Sequence, residues 1–291
     1  MNALLQRLTQ PAMLIADGAT GTQLQRAGLP AGAAPERWNL EYPDAILRLH
    51  RSYLDAGADV ILTNTFGGTR IRLERDGLAD KVVQINKAAA ALAREAAGGS
   101  SLVFGDIGPT GALLEPYGAL PYADAVAAFA EQAAALASGG VDAILIETMS
   151  DLNEAKAAVE GARQVTDLPV LVTLSFDTRG RTMMGVRPAT AAKELWALGV
   201  NVIGANCGRT LSETLTAIQE MRQAVPEAVL MAKPNAGLPH LENELSVYDV
   251  TPEVMAEWRA MFAEQGVRIF GGCCGSTPAH IRAIAAAARD A

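Results

Sequence analysis

The segment VRIFGGCCG, residues 267–275, contains the pattern that decides the fold. Its first four residues form a short, largely apolar run that predicts a buried β-strand. Residues 278–288 predict an α-helix, with Pro278 in the first turn, where a missing N–H does little harm. Glycines, Cys273 and Cys274 lie between the two elements. A cysteine pair therefore lies where a strand passes into a helix, which in parallel α/β proteins is the edge of the sheet that carries functional sites.

The same strand-then-helix unit occurs eight times along the chain. The predicted strands cover residues 13–16, 60–63, 102–105, 143–147, 170–175, 201–205, 229–232 and 267–270. The predicted helices cover residues 43–56, 79–97, 122–138, 152–165, 188–198, 211–224, 252–265 and 278–288. Eight such units in 291 residues predict an α/β fold, a (β/α)8 TIM barrel that forms a single domain over residues 1–291. A doubly wound open sheet is the structural alternative, although no G-x-G-x-x-G follows the first strand and no Walker A sequence occurs.

The lengths of the connections favour the barrel as well. The long connections follow strands, at residues 17–42, 105–121, 177–187 and 234–250, whereas those after helices are short. Barrel enzymes elaborate the loops at the C-terminal ends of their strands. The three cysteines lie at that same end, so the sequence predicts the functional site there.

Composition limits the classes of function. A net charge of −8 and a pI near 5.0 argue against a nucleic-acid partner. No stretch approaches the roughly 20 apolar residues of a membrane helix, so no membrane partner is expected. No secretory signal is visible, and the cysteine count is odd, which predicts a cytoplasmic protein with reduced thiols.

The three cysteines themselves suggest a metal site. Cys207 follows the predicted strand 201–205, just as Cys273 and Cys274 follow their own strand, and the chain has no other cysteine. Three thiolates without a nearby histidine suit zinc and leave a fourth tetrahedral position open, as in catalytic zinc sites. A buried cysteine can also act as a small hydrophobe, and a disulfide between Cys273 and Cys274 is a further alternative. The neighbouring glycines are poor core residues and favour the metal site.

Two acidic residues end strands on the same side of the predicted barrel. Glu147 closes the fourth strand, where its carboxylate would point into the barrel mouth and could hold a substrate ammonium group. Asp17 and Gly18 follow the first strand, and the glycine leaves backbone N–H groups free for an anion such as a carboxylate. Together they resemble a clamp for an α-amino acid. The alternatives are a salt bridge from Glu147 to a neighbouring loop and an N-capping role for Asp17.

Taken together, these motifs resemble a known family. In chain order they are DGATGT at 17–22, NTF at 64–66, ET at 147–148, GANC at 204–207 and GGCCG at 271–275. They are similar to the homocysteine-binding domain of the homocysteine S-methyltransferase family, along essentially the whole chain. The segments NTFGGTR at 64–70 and PNAG at 234–237 resemble in particular the homocysteine module of cobalamin-dependent methionine synthases.

This resemblance implies a chemistry for the site. In the family, a zinc ion on three cysteines binds the thiolate of homocysteine at the mouth of a (β/α)8 barrel. By resemblance, Cys207, Cys273 and Cys274 are the zinc ligands, and Asp17 and Glu147 contact the amino-acid end of homocysteine. The implied function is a zinc-dependent methyltransferase that moves a methyl group to the L-homocysteine thiolate and forms methionine.

The methyl donor is expected to be a methylcorrinoid, with methylcobalamin supplied by a partner corrinoid protein. The chain shows no cobalamin or folate segment of its own, and its motifs resemble the methionine synthase module. The betaine-using branch of the family carries aromatic residues where this chain has Gly67 and Thr148, and a quaternary ammonium is best held by an aromatic cage. The alternatives are an S-methylmethionine- or betaine-dependent enzyme acting on homocysteine or selenocysteine, and a non-catalytic homocysteine or zinc carrier that docks on a corrinoid protein.

Overall fold

Eight parallel strands form one sheet, which confirms the predicted (β/α)8 barrel. The computed structural model describes residues 2–242 and 245–289, so residues 1, 243, 244, 290 and 291 of the predicted domain lie outside it. The strands are β1 (Leu14–Ile15), β2 (Val60–Leu62), β3 (Leu102–Ile107), β4 (Ala143–Met149), β5 (Val170–Leu174), β6 (Val202–Cys207), β7 (Leu230–Pro234), β8 (Pro239–Glu242), β9 (Leu245–Tyr248) and β10 (Val267–Phe270). Around the large sheet the order is β1, β10, β7, β6, β5, β4, β3 and β2.

The barrel closes at the seam between β1 and β2. Ala16 and Val60 form a parallel bridge there, and the Asp17 N–H donates to the Val60 carbonyl at 3.0 Å. One step further, the Asp17 carboxylate takes the place of a backbone carbonyl, because its Oδ2 accepts the Leu62 N–H at 2.8 Å. The side chain of Asp17 therefore continues the ladder of hydrogen bonds where the short strand β1 has ended.

Helices surround the sheet. They are α1 (Ala3–Leu8), α2 (Gly21–Arg26), α3 (Trp38–Glu41), α4 (Pro43–Asp55), α5 (Arg70–Glu74), α6 (Val82–Ala97), α7 (Tyr122–Ser138), α8 (Leu152–Val165), α9 (Pro188–Ala197), α10 (Leu211–Ala224), α11 (Pro252–Glu264) and α12 (Pro278–Arg289), with 3-10 turns at Pro35–Arg37 and Ala79–Lys81. All eight predicted helices are present. Proline begins α4, α9 and α11, and the Thr251 side chain caps α11 by accepting the Val254 N–H. In the part of the chain that the structure describes, no helix combines the length and the apolar character of a membrane span.

The long connections contain more structure than the sequence pattern predicts. The prediction of a loop over residues 234–250 is wrong in part, because β8 and β9 pair there as an antiparallel hairpin. This pairing satisfies backbone groups that an open loop would leave to water. The connection over residues 17–42 likewise contains α2, a 3-10 turn and α3. These additions lie at the C-terminal end of the barrel and build its mouth.

The interior of the barrel is apolar at its N-terminal end. One cluster of buried side chains fills it: Leu4, Leu14, Ala16, Val60, Leu62, Leu102, Phe104, Ala143, Leu145, Leu171, Val202, Met231 and Ile269. The helix α1 closes this end, since Leu4 is fully buried within the cluster. Burial of apolar surface here stabilises the fold by about 25 cal/mol for each Å² removed from water.

Along several strands, the side chains that face the interior are apolar at the N-terminal end and ionisable at the C-terminal end. In β3 the inward row runs from Leu102 through Phe104 to Asp106, because side chains two residues apart share a face. In β4 the corresponding row ends at Glu147, and in β7 it ends at Lys233. The fold therefore directs charged side chains into the mouth of the barrel, on top of the apolar packing.

Candidate active site at the mouth of the barrel

The structure brings the three cysteines together at the barrel mouth. Cys207 is the last residue of β6, and Cys273 and Cys274 follow β10. Their sulfur atoms all lie within 4.8 Å of one another, and the Sγ atoms of Cys207 and Cys273 are 2.9 Å apart. All three cysteines are free thiols, so no disulfide joins Cys273 to Cys274. Sulfur ligands around a tetrahedral zinc lie about 3.8 Å apart, and this group could hold such an ion.

An unusual backbone conformation aims the Cys207 thiol. Its φ of 55° lies in the left-handed region, and Gly208 after it has a φ of 74°. For a residue with a side chain this conformation costs about 1–2 kcal/mol, and it persists only where the surroundings hold it. Asn235 provides that restraint, because its N–H donates to the Cys207 carbonyl at 3.2 Å and its Nδ2 donates to the Gly208 carbonyl at 2.8 Å.

Two glycines allow the adjacent cysteines to reach one point. A Cβ on Gly272 would collide with the side chain of Ser276, and a Cβ on Gly271 would lie 2.8 Å from the Asp17 carbonyl oxygen. The turn after them is held from within, because the Ser276 Oγ donates to the Cys273 carbonyl at 2.6 Å. The strand-to-helix turn is therefore packed against β1, and only glycine fits at these two positions.

The hairpin β8–β9 contributes a tyrosine to the same group. The ring of Tyr248 packs directly on the backbone of Gly275. Burial raises the pKa of the Tyr248 hydroxyl, and the charge of the nearby Cys274 sulfur raises it further. Tyr248 was not found by sequence reasoning, because the hairpin that carries it was not predicted.

The cysteines open onto a cavity of about 550 Å³. Its walls include Gly18, Asn64, Phe66, Asp106, Glu147, Thr148, Cys207, Lys233, Cys273 and Cys274. Gly18 lies against the wall formed by Tyr53 and Ser276, where an added Cβ would be 2.9 Å from the tyrosine ring and 2.8 Å from the serine Oγ. Asp17 is buried immediately beside this surface.

A buried lysine lies between the two acids that the sequence singles out. The Nζ of Lys233 is 3.4 Å from Glu147 Oε2 and 3.7 Å from Asp17 Oδ1, and all three residues are at most 6% exposed. Burial raises the pKa of Asp17 to about 6, although the Lys233 ammonium opposes the shift. Glu147 therefore pairs with a residue of β7, across the interior of the barrel, rather than with a loop. Sequence reasoning missed Lys233, because the predicted seventh strand stops at residue 232.

A third carboxyl group completes the cluster. Asp106 is 6% exposed, lines the cavity, and has a buried Oδ1 without a hydrogen-bond partner among the described residues. Its backbone is fixed, since its N–H donates to Thr63 Oγ1 at 2.9 Å and its carbonyl accepts the Thr65 hydroxyl at 2.7 Å. Burial raises the pKa of Asp106 well above its ordinary value, and the charge of Glu147 adds to this shift.

A second strained residue ties the acidic cluster to the cysteines. Thr148 has a φ of 62°, which is rare for a β-branched residue. Its N–H donates to Asn206 Oδ1 at 2.8 Å, and Asn206 Nδ2 donates to its hydroxyl at 2.6 Å. These bonds couple Glu147, which precedes Thr148, to Cys207, which follows Asn206. Asn206 and Thr148 lie in the predicted motifs, but their sequence gave no indication of this mutual bond.

Comparison with known proteins places this geometry in a family. The family model described as homocysteine S-methyltransferase matches residues 14–288. The proteins named methionine synthase from Mycobacterium tuberculosis and Mycobacterium leprae are 38% and 36% identical over 98% of this chain. The chain spans about a quarter of the length of these curated relatives, 25% in each case.

Solved structures support the fold independently. The metallated form of the homocysteine methyltransferase MmuM from Escherichia coli superimposes with a TM-score of 0.81, over 98% of each chain and at 24% identity. A methyltransferase from Methanosarcina mazei superimposes with a TM-score of 0.66 at 11% identity, over 99% of this chain and 97% of that one. At these identities the likeness speaks for the barrel alone, whereas the match of the family model covers the motifs of the site. The chain belongs to the homocysteine S-methyltransferase family.

Proposed function

We propose that Cys207, Cys273 and Cys274 bind one zinc ion. The donor set fits this metal, since three thiols meet at one point and no carboxylate oxygen is part of the group. Zinc bound there would hold a substrate thiol as its thiolate at neutral pH. The left-handed backbone at Cys207 and the glycine turn before Cys273 keep the three thiols in place before the metal binds.

We propose that the substrate is homocysteine and that methionine is the product. One observation carries this proposal: the three thiols and a buried cluster of carboxyl groups open onto the same cavity of about 550 Å³. An amino acid with a thiol at its far end needs these two kinds of surface, one for the sulfur and one for the ammonium group. The amino-acid end then lies against Asp17, Gly18 and Glu147, with the whole of residues 1–291 serving as one homocysteine-binding domain.

The protein then contributes to the reaction by binding homocysteine and orienting its sulfur toward the methyl donor. The Gly18 N–H has no partner among the described residues and is free to donate to the substrate carboxylate. Thr148 and Asn206 fix the relative position of the acidic cluster and the thiols, which orients the sulfur of the substrate for attack on a methyl group. No side chain of the site has to act as a general base, because the thiol is already deprotonated when it reacts.

For the methyl donor we propose a methylcorrinoid carried by another protein or domain. Two curated relatives are named methionine synthase, and the chain matches a quarter of their length. Betaine is disfavoured, because among the described residues that line the cavity only Phe66 is aromatic, and one ring does not make a cage for a quaternary ammonium. S-methylmethionine is a small sulfonium donor that needs no partner, so it is the alternative that the test has to address.

The test is a donor screen with the zinc-loaded protein. Homocysteine is supplied with methylcobalamin, S-methylmethionine or betaine, and methionine is measured by mass spectrometry. We expect methionine from methylcobalamin and none from betaine. The Cys273→Ser, Cys274→Ser double variant, treated identically, controls for transfer without the enzyme.

The other outcomes are equally informative. Methionine from S-methylmethionine alone would replace the donor and keep the rest of the proposal. Binding of homocysteine without turnover of any donor would indicate a carrier. If the zinc-loaded protein neither binds homocysteine nor forms methionine, the proposed function is wrong.

A further inference from the structure

The carboxamide of Asn206 lies inside the barrel mouth, next to the three thiols. It follows Val202 and Gly204 on the inward row of β6, and only 1% of the residue is exposed. Its Oδ1 accepts the Thr173 hydroxyl of β5 at 2.7 Å and the Thr148 N–H of β4 at 2.8 Å. One side chain of β6 is therefore bonded to both of the strands that precede it in the sheet.

These bonds fix which way round the carboxamide lies. A backbone N–H can only donate, so the atom that faces the Thr148 nitrogen must be the amide oxygen. The nitrogen of Asn206 is then on the other side, where Nδ2 donates to the Thr148 hydroxyl at 2.6 Å and lies 3.9 Å from Cys273 Sγ. Nδ2 carries two hydrogen atoms, and the second of them is directed at the cysteine sulfur.

A local distortion of β4 supplies the N–H that fixes this orientation. The register between β4 and β5 shifts between Ile146 and Met149, and Thr148 within this bulge has a φ of 62°. Such a conformation costs a residue with a side chain about 1–3 kcal/mol and persists only where the surroundings hold it. Bulges are frequent beside functional sites, where they redirect a group. Here the bulge directs the N–H of Thr148 to Asn206 rather than to the neighbouring strand.

The sulfur of Cys273 has few other donors. Apart from the neighbouring thiols, Asn206 is the one hydrogen-bond donor to this atom among the residues that the structure describes. The Lys233 ammonium lines the same cavity, but it already pairs with two carboxylates. A thiolate on a metal keeps much of its negative charge, and Cys273 is only 9% exposed, so water does little to stabilise that charge. The amide of Asn206 can supply this stabilisation.

We propose that Asn206 is a positioning residue of the metal site, which donates an N–H···S hydrogen bond to the Cys273 thiolate and holds this sulfur in place as a ligand. The inference rests on the proposed zinc site. Hydrogen bonds to a charged acceptor are shorter and stronger than neutral ones, so the contact of 3.9 Å should tighten when the thiol becomes a thiolate. Thr148 and Thr173 act through Asn206, because they hold its oxygen and leave one N–H for the sulfur.

Two replacements of Asn206 remove the N–H in different ways. Asn206→Asp keeps an oxygen for Thr148 and Thr173, whereas Asn206→Leu keeps the shape and forms no hydrogen bond. Zinc affinity is measured by competition with a chromophoric chelator, and both variants should bind zinc about ten- to a hundredfold more weakly than wild type. A loss that the two variants share is due to the missing N–H, since only Asn206→Asp adds a charge.

Cobalt in place of zinc reports on the sulfur itself. Thiolates bound to cobalt(II) give a charge-transfer absorption in the near ultraviolet, and a hydrogen bond to the sulfur raises the energy of this transition. Without the N–H, the band of both Asn206 variants should therefore move to longer wavelength. A purely structural role of Asn206 would lower the stability and leave the band unchanged.

Asn86 provides the matched control, because it is a fully buried asparagine of α6 whose Nδ2 donates to the carbonyls of Gly68 and Val82. Asn86→Asp and Asn86→Leu should lose stability and leave both zinc affinity and the cobalt band at wild-type values. Thermal unfolding of the metal-free form is measured for every variant. If neither Asn206 variant folds, wild type loaded with an NMR-active isotope of cadmium decides, since its labelled Asn206 side-chain N–H should show scalar coupling to the metal through the Cys273 sulfur.

The possible results distinguish a failure of this role of Asn206 from a failure of the zinc site. An unchanged cobalt band in Asn206→Leu, whatever its zinc affinity, or an equal shift in Asn86→Leu would overturn the role of Asn206 while the zinc site stands. Absence of the coupling in folded, cadmium-loaded wild type would overturn it as well. If wild type binds neither zinc nor cobalt, the proposed zinc site fails and the assignment of Asn206 falls with it.

Discussion

The two ends of the barrel interior are built from the same strands but contain different kinds of side chain, apolar at one end and ionisable at the other. At the N-terminal end, the rows of β3 and β4 consist of apolar residues such as Phe104 and Leu145, which are fully buried under α1. Two residues further along the same rows lie Asp106 and Glu147, which are also buried but carry ionisable carboxyl groups. The local fold is the same, and only the chemistry of the side chains changes.

The difference separates stability from function. Apolar burial at the N-terminal end, the lower end of the barrel, stabilises the fold whether or not a ligand is bound. At the C-terminal end, the upper end of the barrel, buried charges and crowded thiols cost free energy unless a partner is present. The left-handed backbones at Thr148 and Cys207 add a further cost, which the surrounding hydrogen bonds sustain. The lower end therefore stabilises the barrel, and the upper end uses part of that stability to keep a site ready for a metal and a substrate.

The sharpest way to break this comparison is to remove thiols from the upper end. The Cys273→Ser, Cys274→Ser variant should bind no zinc, whereas wild type binds about one per chain, and methyl transfer should fall at least about a hundredfold. Metal analysis of protein prepared without oxygen gives the zinc content, and methionine formation gives the rate.

The stability of the Cys273→Ser, Cys274→Ser variant should differ little from that of metal-free wild type. We expect the thermal midpoint of the double variant to match that of metal-free wild type within a few degrees, since neither cysteine belongs to the apolar cluster at the lower end. Full zinc occupancy in the double variant would remove the site from these cysteines. Unfolding at room temperature would show that the upper end also stabilises the barrel.

Replacement of the buried lysine tests the charges of the upper end. Lys233→Met leaves Asp17 and Glu147 without their ammonium partner, so the free energy of unfolding should fall by about 3–5 kcal/mol. Urea unfolding followed by circular dichroism measures it. Lys156→Met is the control, because Lys156 pairs with Glu194 at the surface, where an ion pair contributes about 0–1 kcal/mol. Equal losses in the two variants would contradict the stabilising role assigned to the buried ion pairs of Lys233.

A cavity at the lower end should reduce stability and leave the metal site intact, the reverse of removing the thiols. Leu145→Ala removes a fully buried side chain from the apolar cluster, and we expect a loss of about 2–5 kcal/mol with zinc binding retained at about one ion per chain. Leu113→Ala, at an exposed leucine, should stay within about 0.5 kcal/mol of wild type. A Leu145→Ala variant that keeps its stability and loses zinc would contradict the division between the two ends.

The same alternation explains what could be predicted from the sequence. Each barrel strand is a short apolar run next to a helix with its own periodicity, so the eight units are visible without any knowledge of contacts. The three cysteines stand out because glycines surround them, and Glu147 because it is the first charge after an apolar run. The six-residue helix α1 and the hairpin β8–β9 are too short or too dependent on tertiary packing for such a signal.

Asp106 and Lys233 were missed for one reason. The predicted strands stop at Gly105 and Ala232, each one residue before the charge, because a buried charge is the usual sign that a strand has ended. The useful signal is the row of alternate residues, Leu102, Phe104 and then Asp106, since a strand of a barrel can continue into its site. No sequence pattern shows that acids and a base from four strands, β1, β3, β4 and β7, meet at the mouth of the barrel.

The smallest expected effect concerns a buried titratable group that lies outside both ends. His50 is on the buried face of α4, its Nε2 has no hydrogen-bond partner among the described residues, and burial lowers its pKa from 6.5 to about 4. Between pH 6.5 and about pH 4, the unfolded chain therefore binds a proton at His50 that the native state does not bind. Stability falls as the pH drops through that window, by about 2 kcal/mol between pH 7 and pH 5.

The His50→Gln variant should lose this dependence. Its free energy of unfolding relative to wild type should rise by about 2 kcal/mol from pH 7 to pH 5, because glutamine takes up no proton in either state. Gln223→Ala, at an exposed glutamine that takes up no proton, should leave the wild-type slope unchanged within about 0.5 kcal/mol. Urea unfolding at four pH values measures both. Parallel curves for wild type and His50→Gln would mean that His50 takes up a proton in the native state as readily as in the unfolded chain, which would contradict its burial without a partner.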